Sequence, residues 1–383
     1  MERPVIHRVY FSPGMFGFGQ LASYDYFAHV EKELATRFAA RGATLESFVL
    51  DVPPTASIRR RAARFAELVA RTAGDSDDPI HLVGHSTGGL DARLVASPET
   101  HLPVASDTFR WLPRLASVTC MNTPHFGTPL ASFFATVSGQ RMLYALSALT
   151  FIALWRGSPP LAAASAILVG VGRIDRAIGI EVKMFDRAVE GLLRVLDDAR
   201  SREVRTYLEA IKHDQGAVVQ LTPEAMDLFL AGVQDAPDVL YQSTVSSSPV
   251  PSVARIAKSV LRPWRAMSHV LFTALHGITS RYDERYPCAP EQVDDATERR
   301  LERAFGRSPG VRANDGVVPL RSQLWGDVVW AGEADHLDVL GHFDDEATGH
   351  ADWMTSGSGF DRARFATLVD AIFDGMIRAT TKA

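Results

Sequence analysis

The run Gly84-His85-Ser86-Thr87-Gly88 sets a serine between glycines, in a G-x-S-x-G pattern that follows a short apolar segment, Ile80 to Val83, and precedes a helical one. That strand, turn, helix setting makes the match informative, because small residues let strand and helix approach while the serine hydroxyl projects from a sharp turn. A larger residue at Gly84 or Gly88 is expected to clash. The competing reading is a chance match in a glycine-rich turn.

A serine hydroxyl is a weak nucleophile near neutral pH, so covalent chemistry at Ser86 requires a histidine to take its proton and a carboxylate to orient that histidine. His336 directly follows a strand-like run from Asp327 and is the expected general base, with His342 and His350 in reserve. Asp315 is the expected acid, because Asn314-Asp315-Gly316 forms a turn that can aim a carboxylate into a cleft. Asp335 is the weaker acid candidate, since the residue beside His336 along the chain ordinarily points elsewhere. Charge developing on a substrate oxygen needs backbone N–H donors, and Thr87 after the nucleophile and Met15 in the loop Ser12-Pro13-Gly14-Met15-Phe16-Gly17-Phe18 suit that role.

These residues need a frame. Val5 to Phe11, Thr44 to Leu50, Ile80 to Val83 and Leu115 to Met121 read as strands, and Tyr26 to Arg41, Ile58 to Arg71 and the segment after Gly88 read as helices. The alternation implies a parallel sheet with crossover helices. From about Leu130 to Gly232 the rhythm gives way to a mainly helical insert whose strongest apolar runs are Met142 to Trp155 and Leu161 to Val171. Each is shorter than the roughly 20 residues needed to cross a bilayer, so the choice lies between core helices and a lid with a lipid-facing surface. The rhythm resumes at Val239 to Val245, passes a loop-rich stretch, and ends with a strand at Asp327 to Ala331 and an amphipathic helix from Phe360 to Arg378.

A chain of 383 residues suffices for a large α/β domain with an insertion, and its net charge of -5 gives no basic footprint for nucleic acid. Cys120 and Cys288 stand outside any metal-ligand spacing and read as buried thiols, with a single bridge between them as the alternative. The N-terminal MERPVIHRVYFSPG has no apolar leader region, which points to a cytoplasmic or already processed chain, with secretion by another route left open.

Several ordered segments together resemble the bacterial triacylglycerol lipases of the α/β-hydrolase superfamily. Pro13-Gly14-Met15-Phe16-Gly17-Phe18 resembles that family's H-G-[ML]-x-G-F loop, and Tyr24-Asp25-Tyr26-Phe27 the D-Y-[WF] that follows it. Gly84 through Arg93 is similar to its nucleophile turn, Thr123-Pro124-His125-Phe126-Gly127-Thr128 to its [AT]-P-H-x-G-[ST] segment, and Leu221 through Met226 to the helix closing its lid region. Asn314 through Val318 and His336-Leu337-Asp338 are similar to its acid and histidine motifs.

The resemblance implies an α/β-hydrolase fold: a mostly parallel central sheet flanked by helices, one domain over 1–383 with a helical lid or cap at 130–232. It also implies a triad of Ser86, Asp315 and His336, oxyanion donors at Met15 and Thr87, and hydrolysis of lipid-like esters, with a lipid or ester substrate as partner and no nucleic acid. Pro13 stands where the family has histidine, which keeps the Met15 donor but changes what supports the loop. No cofactor is required for the chemistry. A structural calcium is implied near the histidine loop with Asp338 as ligand, although His342 replaces a hard oxygen donor there. An acyltransferase on the same triad, a small-ester carboxylesterase and a non-catalytic lipid-binding protein remain the alternatives.

Overall fold

The protein's structure, a computed structural model, describes residues 4–15, 20–21, 24–156, 189–191, 193–194, 196–252, 263–345, 352 and 354–381. The strands are β1 (Ile6–Ser12), β2 (Thr44–Val49), β3 (Ile80–His85), β4 (Leu115–Met121), β5 (Leu240–Ser246) and β6 (Asp327–Gly332). They form a six-stranded sheet in the order β2-β1-β3-β4-β5-β6, with every neighbouring pair parallel.

Burial on both sheet faces accounts for the consecutive apolar residues Val9, Tyr10 and Phe11 of β1. Alternate residues serve different layers: His7 packs on Phe38 of α1 (Ala28–Ala40) and Phe11 on Phe27. The intervening Tyr10 accepts a hydrogen bond from Thr72 of α2 (Ile58–Thr72), and Ser12 meets Asp91 of α3 (Thr87–Ala96). Phe38 also packs edge-on against Phe373 of the C-terminal helix, Arg362–Thr381, so the first and last helices share one face while α2 and α3 share the other.

After β4 come α4 (Pro129–Phe134) and α5 (Val137–Arg156), then α6 (Asp198–His213), α7 (Gly216–Gln220) and α8 (Pro223–Gly232). Met142, Leu143, Leu146 and Leu149 of α5 are buried in the main core, so the first apolar run is a core element over that stretch. Leu161 to Val171 lies outside the described residues. No described helix is long and apolar enough to cross a membrane.

The stretch read as loop-rich contains two helices, α9 (Pro263–Thr279) and α10 (Asp295–Phe305); the last helix is then α11. In α10, Leu301 alone is buried and most positions are charged, so few apolar residues mark the helix. Its ends are nevertheless well specified: Asp294 accepts from the N–H groups of Ala296 and Thr297, and Gly306 closes it at φ 70°.

Chain order places the site. From β1 the chain runs out to the edge strand β2 and returns to β3 on the other side of β1, so the loops after β1 and β3 diverge and open a crevice at their carboxyl ends. Ser12 to Met15 leave from one and Ser86 from the other.

Candidate active site

Ser86 joins β3 to α3 with φ 54° and ψ −126°, a backbone state that is strained for a residue with a side chain. Its N–H donates to Met121 O at 2.8 Å and its carbonyl accepts from Gly89 at 3.1 Å. A Cβ at Gly84 would stand 2.1 Å from the backbone of Gly88, and one at Gly88 would stand 2.0 Å from Ser12 O. The clash expected at both glycines is therefore with backbone, which cannot move aside cheaply.

His336 Nδ1–H donates to Asp315 Oδ2 at 2.7 Å, an assignment that leaves Nε2 to accept. The two loops are also joined by His336 N–H donating to Asp315 O at 3.0 Å. Asp315 is fully buried and well supplied with donors. Its Oδ1 accepts from Val317 N at 2.9 Å and Val318 N at 2.7 Å, while Oδ2 also accepts from Asn122 Nδ2 at 2.9 Å and Gln323 Nε2 at 3.3 Å. The Asn-Asp-Gly turn thus aims the carboxylate at the histidine and satisfies its other lone pairs.

Asp335 is directed elsewhere: Oδ2 accepts from Ser356 Oγ at 2.7 Å, and Oδ1 from Leu337 N at 2.9 Å and Asp338 N at 3.0 Å. Burial pushes its carboxyl up to about 7. His342 packs at 5.9 Å from His29, and His350 lies outside the described residues.

Ser86 is tied to the histidine loop through its neighbour. The His85 ring packs at a tilt against that of His336, with centroids 4.6 Å apart, and reaches the His336 carbonyl from Nε2 at 2.9 Å. On its other side, Tyr26 Oη contacts His85 Nδ1 at 2.7 Å, and Tyr26 also takes a hydrogen bond from the Gly14 N–H. Burial holds His85 well below the usual histidine range, so its ring is neutral.

The loop after β1 has a second support in the buried pair Arg61–Asp91 at 2.8 Å. Arg61 also donates to Pro13 O at 2.5 Å and Pro54 O at 3.0 Å, and Asp91 Oδ2 accepts from Ser12 Oγ at 2.7 Å. The Arg61 guanidinium at Pro13 and the Tyr26 phenol beside Gly14 thus brace the loop. Asn122, Tyr26, Arg61 and Asp91 went unassigned in the sequence because each works through a contact distant along the chain, and Gln323 because its contact eight residues back depends on an intervening helical turn. Asn122 alone leaves a local trace, an Asn at φ 48° after a strand.

Met15, Ser86 and Thr87 line one cleft, with Pro124, Thr128, Leu130, Ala131, Phe134, Leu221, Val317 and Val318 as its largely apolar walls. Ser86 is only 6% exposed, so the cleft is narrow over the serine. Residues from α4 and the segment before α8 thus meet the acid loop around the serine. Phe16 to Phe18 lie outside the described residues.

Asp338, the expected calcium ligand, has Oδ2 engaged within the protein: it accepts from Asp335 N and Ser358 Oγ, at 2.8 and 2.7 Å. Among the described residues no group of three or more His, Cys, Asp or Glu side chains is disposed to hold a metal.

No protein-family model matches the chain, and no curated protein does. Among solved structures, EstA from Clostridium botulinum is similar at 17% identity and a TM-score of 0.50, covering 94% of this chain and 87% of that one. Lipase 1 from Pelosinus fermentans follows at 15% identity and 0.48, covering 92% and 97%. A metagenomic carboxyl esterase follows at 14% and 0.49, covering 99% and 77%. The parallel sheet and the fold likeness to EstA establish an α/β-hydrolase fold for this chain.

Proposed function

We propose that the chain is a serine hydrolase that cleaves carboxylic ester bonds of lipid-like substrates through an acyl-enzyme. The observation that carries this reading is the 2.7 Å hydrogen bond from His336 to Asp315, on loops that His85 ties to the turn bearing Ser86. A histidine whose Nδ1 is so held turns Nε2 to the role of proton acceptor that a serine nucleophile requires.

In this mechanism His336 Nε2 takes the Ser86 proton as Oγ attacks the ester carbonyl. The N–H groups of Met15 and Thr87 stabilise the oxyanion, and the N-terminus of α3 adds favourable potential for negative charge there. His336 then gives its proton to the departing alcohol, takes one from the water that attacks the acyl-enzyme and returns it to Ser86 Oγ as the acid leaves, with Asp315 stabilising the imidazolium each time it forms. The apolar walls contributed by Leu130, Ala131, Phe134 and Leu221 suit an acyl chain better than a charged one. In this reading the helical segment 130–232 is the cap over the site.

Hydrolysis of p-nitrophenyl esters from short to long acyl chains, with wild type beside folded Ser86→Ala, tests the reading. Activity is expected to vanish in the variant, and a long-chain optimum marks a lipase rather than a small-ester esterase. Retained activity in Ser86→Ala overturns the mechanism. A wild type that turns over none of the series unless an acceptor alcohol is added is an acyltransferase instead.

A further inference from the structure

We propose that the side-chain hydroxyl of Thr87 is a third oxyanion donor, acting beside the Thr87 and Met15 N–H groups; this rests on the hydrolase reading above. Thr87 is fully buried, lines the cleft with Ser86 and Met15, and its Oγ1 has no hydrogen-bond partner. The other threonine of the cleft, Thr128, donates its Oγ1–H to Val317 O at 2.6 Å and is committed to structure. A helical threonine ordinarily satisfies its hydroxyl on a carbonyl one turn back. Thr87 opens its helix, directly after the strained Ser86, so no earlier helical turn offers that carbonyl.

A buried hydroxyl without a partner weakens the fold, and valine would fill the same space without that penalty. The hydroxyl is rewarded only when something in the cleft accepts from it. The acceptor that acyl transfer creates beside the Thr87 N–H is the oxygen of the tetrahedral intermediate, an anion in an apolar cleft where a further donor counts strongly. The hydroxyl donates a hydrogen bond and keeps its proton, so the acid–base steps stay with His336. The same site would accept the anionic oxygen of a tetrahedral phosphonate or of a hydrated trifluoromethyl ketone adduct.

The test compares Thr87→Val, which removes the hydroxyl at constant shape, with Thr87→Ser, which keeps it. Three quantities are read: kcat and KM on a p-nitrophenyl ester, affinity for a trifluoromethyl ketone, and the thermal midpoint. In Thr87→Val, kcat is expected to fall by about 100-fold, the size of an oxyanion-donor loss, with KM little changed. Affinity for the ketone should fall by a similar factor while the thermal midpoint holds or rises, and Thr87→Ser should keep most of the rate. A merely structural hydroxyl predicts the opposite pairing, lower stability with unchanged turnover of the folded fraction.

Wild-type kcat in Thr87→Val, or equal losses in valine and serine variants, overturns the proposal. Should Thr87→Val not fold, Thr87→Ala against Thr87→Ser is read the same way. Labelling of wild type by a fluorophosphonate, absent in Ser86→Ala, separates the two claims. No labelling and no turnover sinks the hydrolase reading together with this inference, whereas a labelled enzyme indifferent to Thr87→Val sinks this inference alone.

Discussion

His85 donates its Nε2–H to the backbone carbonyl of His336 at 2.9 Å. Because a carbonyl can only accept, the proton must sit on Nε2, and Nδ1 must accept from Tyr26 Oη at 2.7 Å. One neutral ring therefore links the loop after β1, the serine turn and the histidine loop, since Tyr26 also takes the Gly14 N–H. Tyr26→Phe leaves both His85 Nδ1 and the Gly14 N–H without this partner and is expected to cost about 1–3 kcal/mol of stability. Loosening of the Met15 donor should lower kcat in the folded fraction more than it raises KM. Denaturation midpoints and steady-state kinetics on the same preparation check this; a stability loss with unchanged kcat would confine Tyr26 to folding.

Arg61 and Asp91 separate stability from activity. Arg61→Met leaves the Asp91 carboxylate buried and uncompensated, at an expected cost of about 3–5 kcal/mol. Changing both, Arg61→Met with Asp91→Leu, removes the orphaned charge and should recover much of the stability. It cannot restore the hydrogen bond to Pro13 O, so ester turnover should stay low after the midpoint recovers. Joint recovery of both quantities would show that the guanidinium does not position the loop.

The inner strands β1, β3 and β4 were readable in the sequence because both sheet faces are covered there. Ile80 to His85 is wholly buried, so its apolar run and terminal glycine have no competing explanation. The serine turn was readable for a related reason: its sterics demand glycine at two places, and sequence displays glycine directly. What supports the site was not. Gln323 reaches Asp315 only because the short helical turn Leu320–Gln323 carries its side chain back toward the acid, and no residue type or spacing announces such a contact. The missed helix α9 has the converse problem, with apolar residues distributed so broadly along Val270 to Ile278 that period and turn chemistry gave no firm boundary.

Gly84 and Gly88 supply a steric test of the turn. Alanine at Gly84 would bring Cβ to 2.1 Å from Gly88 C and O, and at Gly88 to 2.0 Å from Ser12 O. Either variant is expected to lose about 3 kcal/mol or more, because the obstructing atoms are backbone and relief requires moving α3 away from β3 for Gly84 or from the end of β1 for Gly88. Thermal midpoints should fall sharply for both, while alanine at Gly310, where an added Cβ meets nothing within 4 Å, should leave the midpoint nearly unchanged. Near-wild-type stability in Gly84→Ala would mean the strand and helix are not as close as described.

Acid sensitivity should be traceable to a second histidine pair, at the amino ends of β1 and β3 rather than at the serine end, and packed against α1. His7 Nδ1 lies 3.1 Å from His81 Nε2, and His81 Nδ1 lies 2.8 Å from Ser117 Oγ. Burial lowers His7 from 6.5 to about 4, against a raising influence from Asp78, and burial with the neighbouring His7 lowers His81 from 6.5 to about 3. The unfolded chain therefore binds protons that the folded one refuses between those values and 6.5. Stability from the pair is complete above about 6.5 and is lost as pH falls toward 4 and then 3, with a limiting slope of about 1.4 kcal/mol per pH unit for each proton taken up on unfolding. His81→Gln removes one such group while keeping a polar side chain beside Ser117. Urea unfolding free energies between pH 7.5 and 4.5 should consequently fall less steeply with acid in this variant than in wild type. Parallel curves would assign the acid limb to other buried groups, among which His85 and His125 are also held well below their ordinary range by burial.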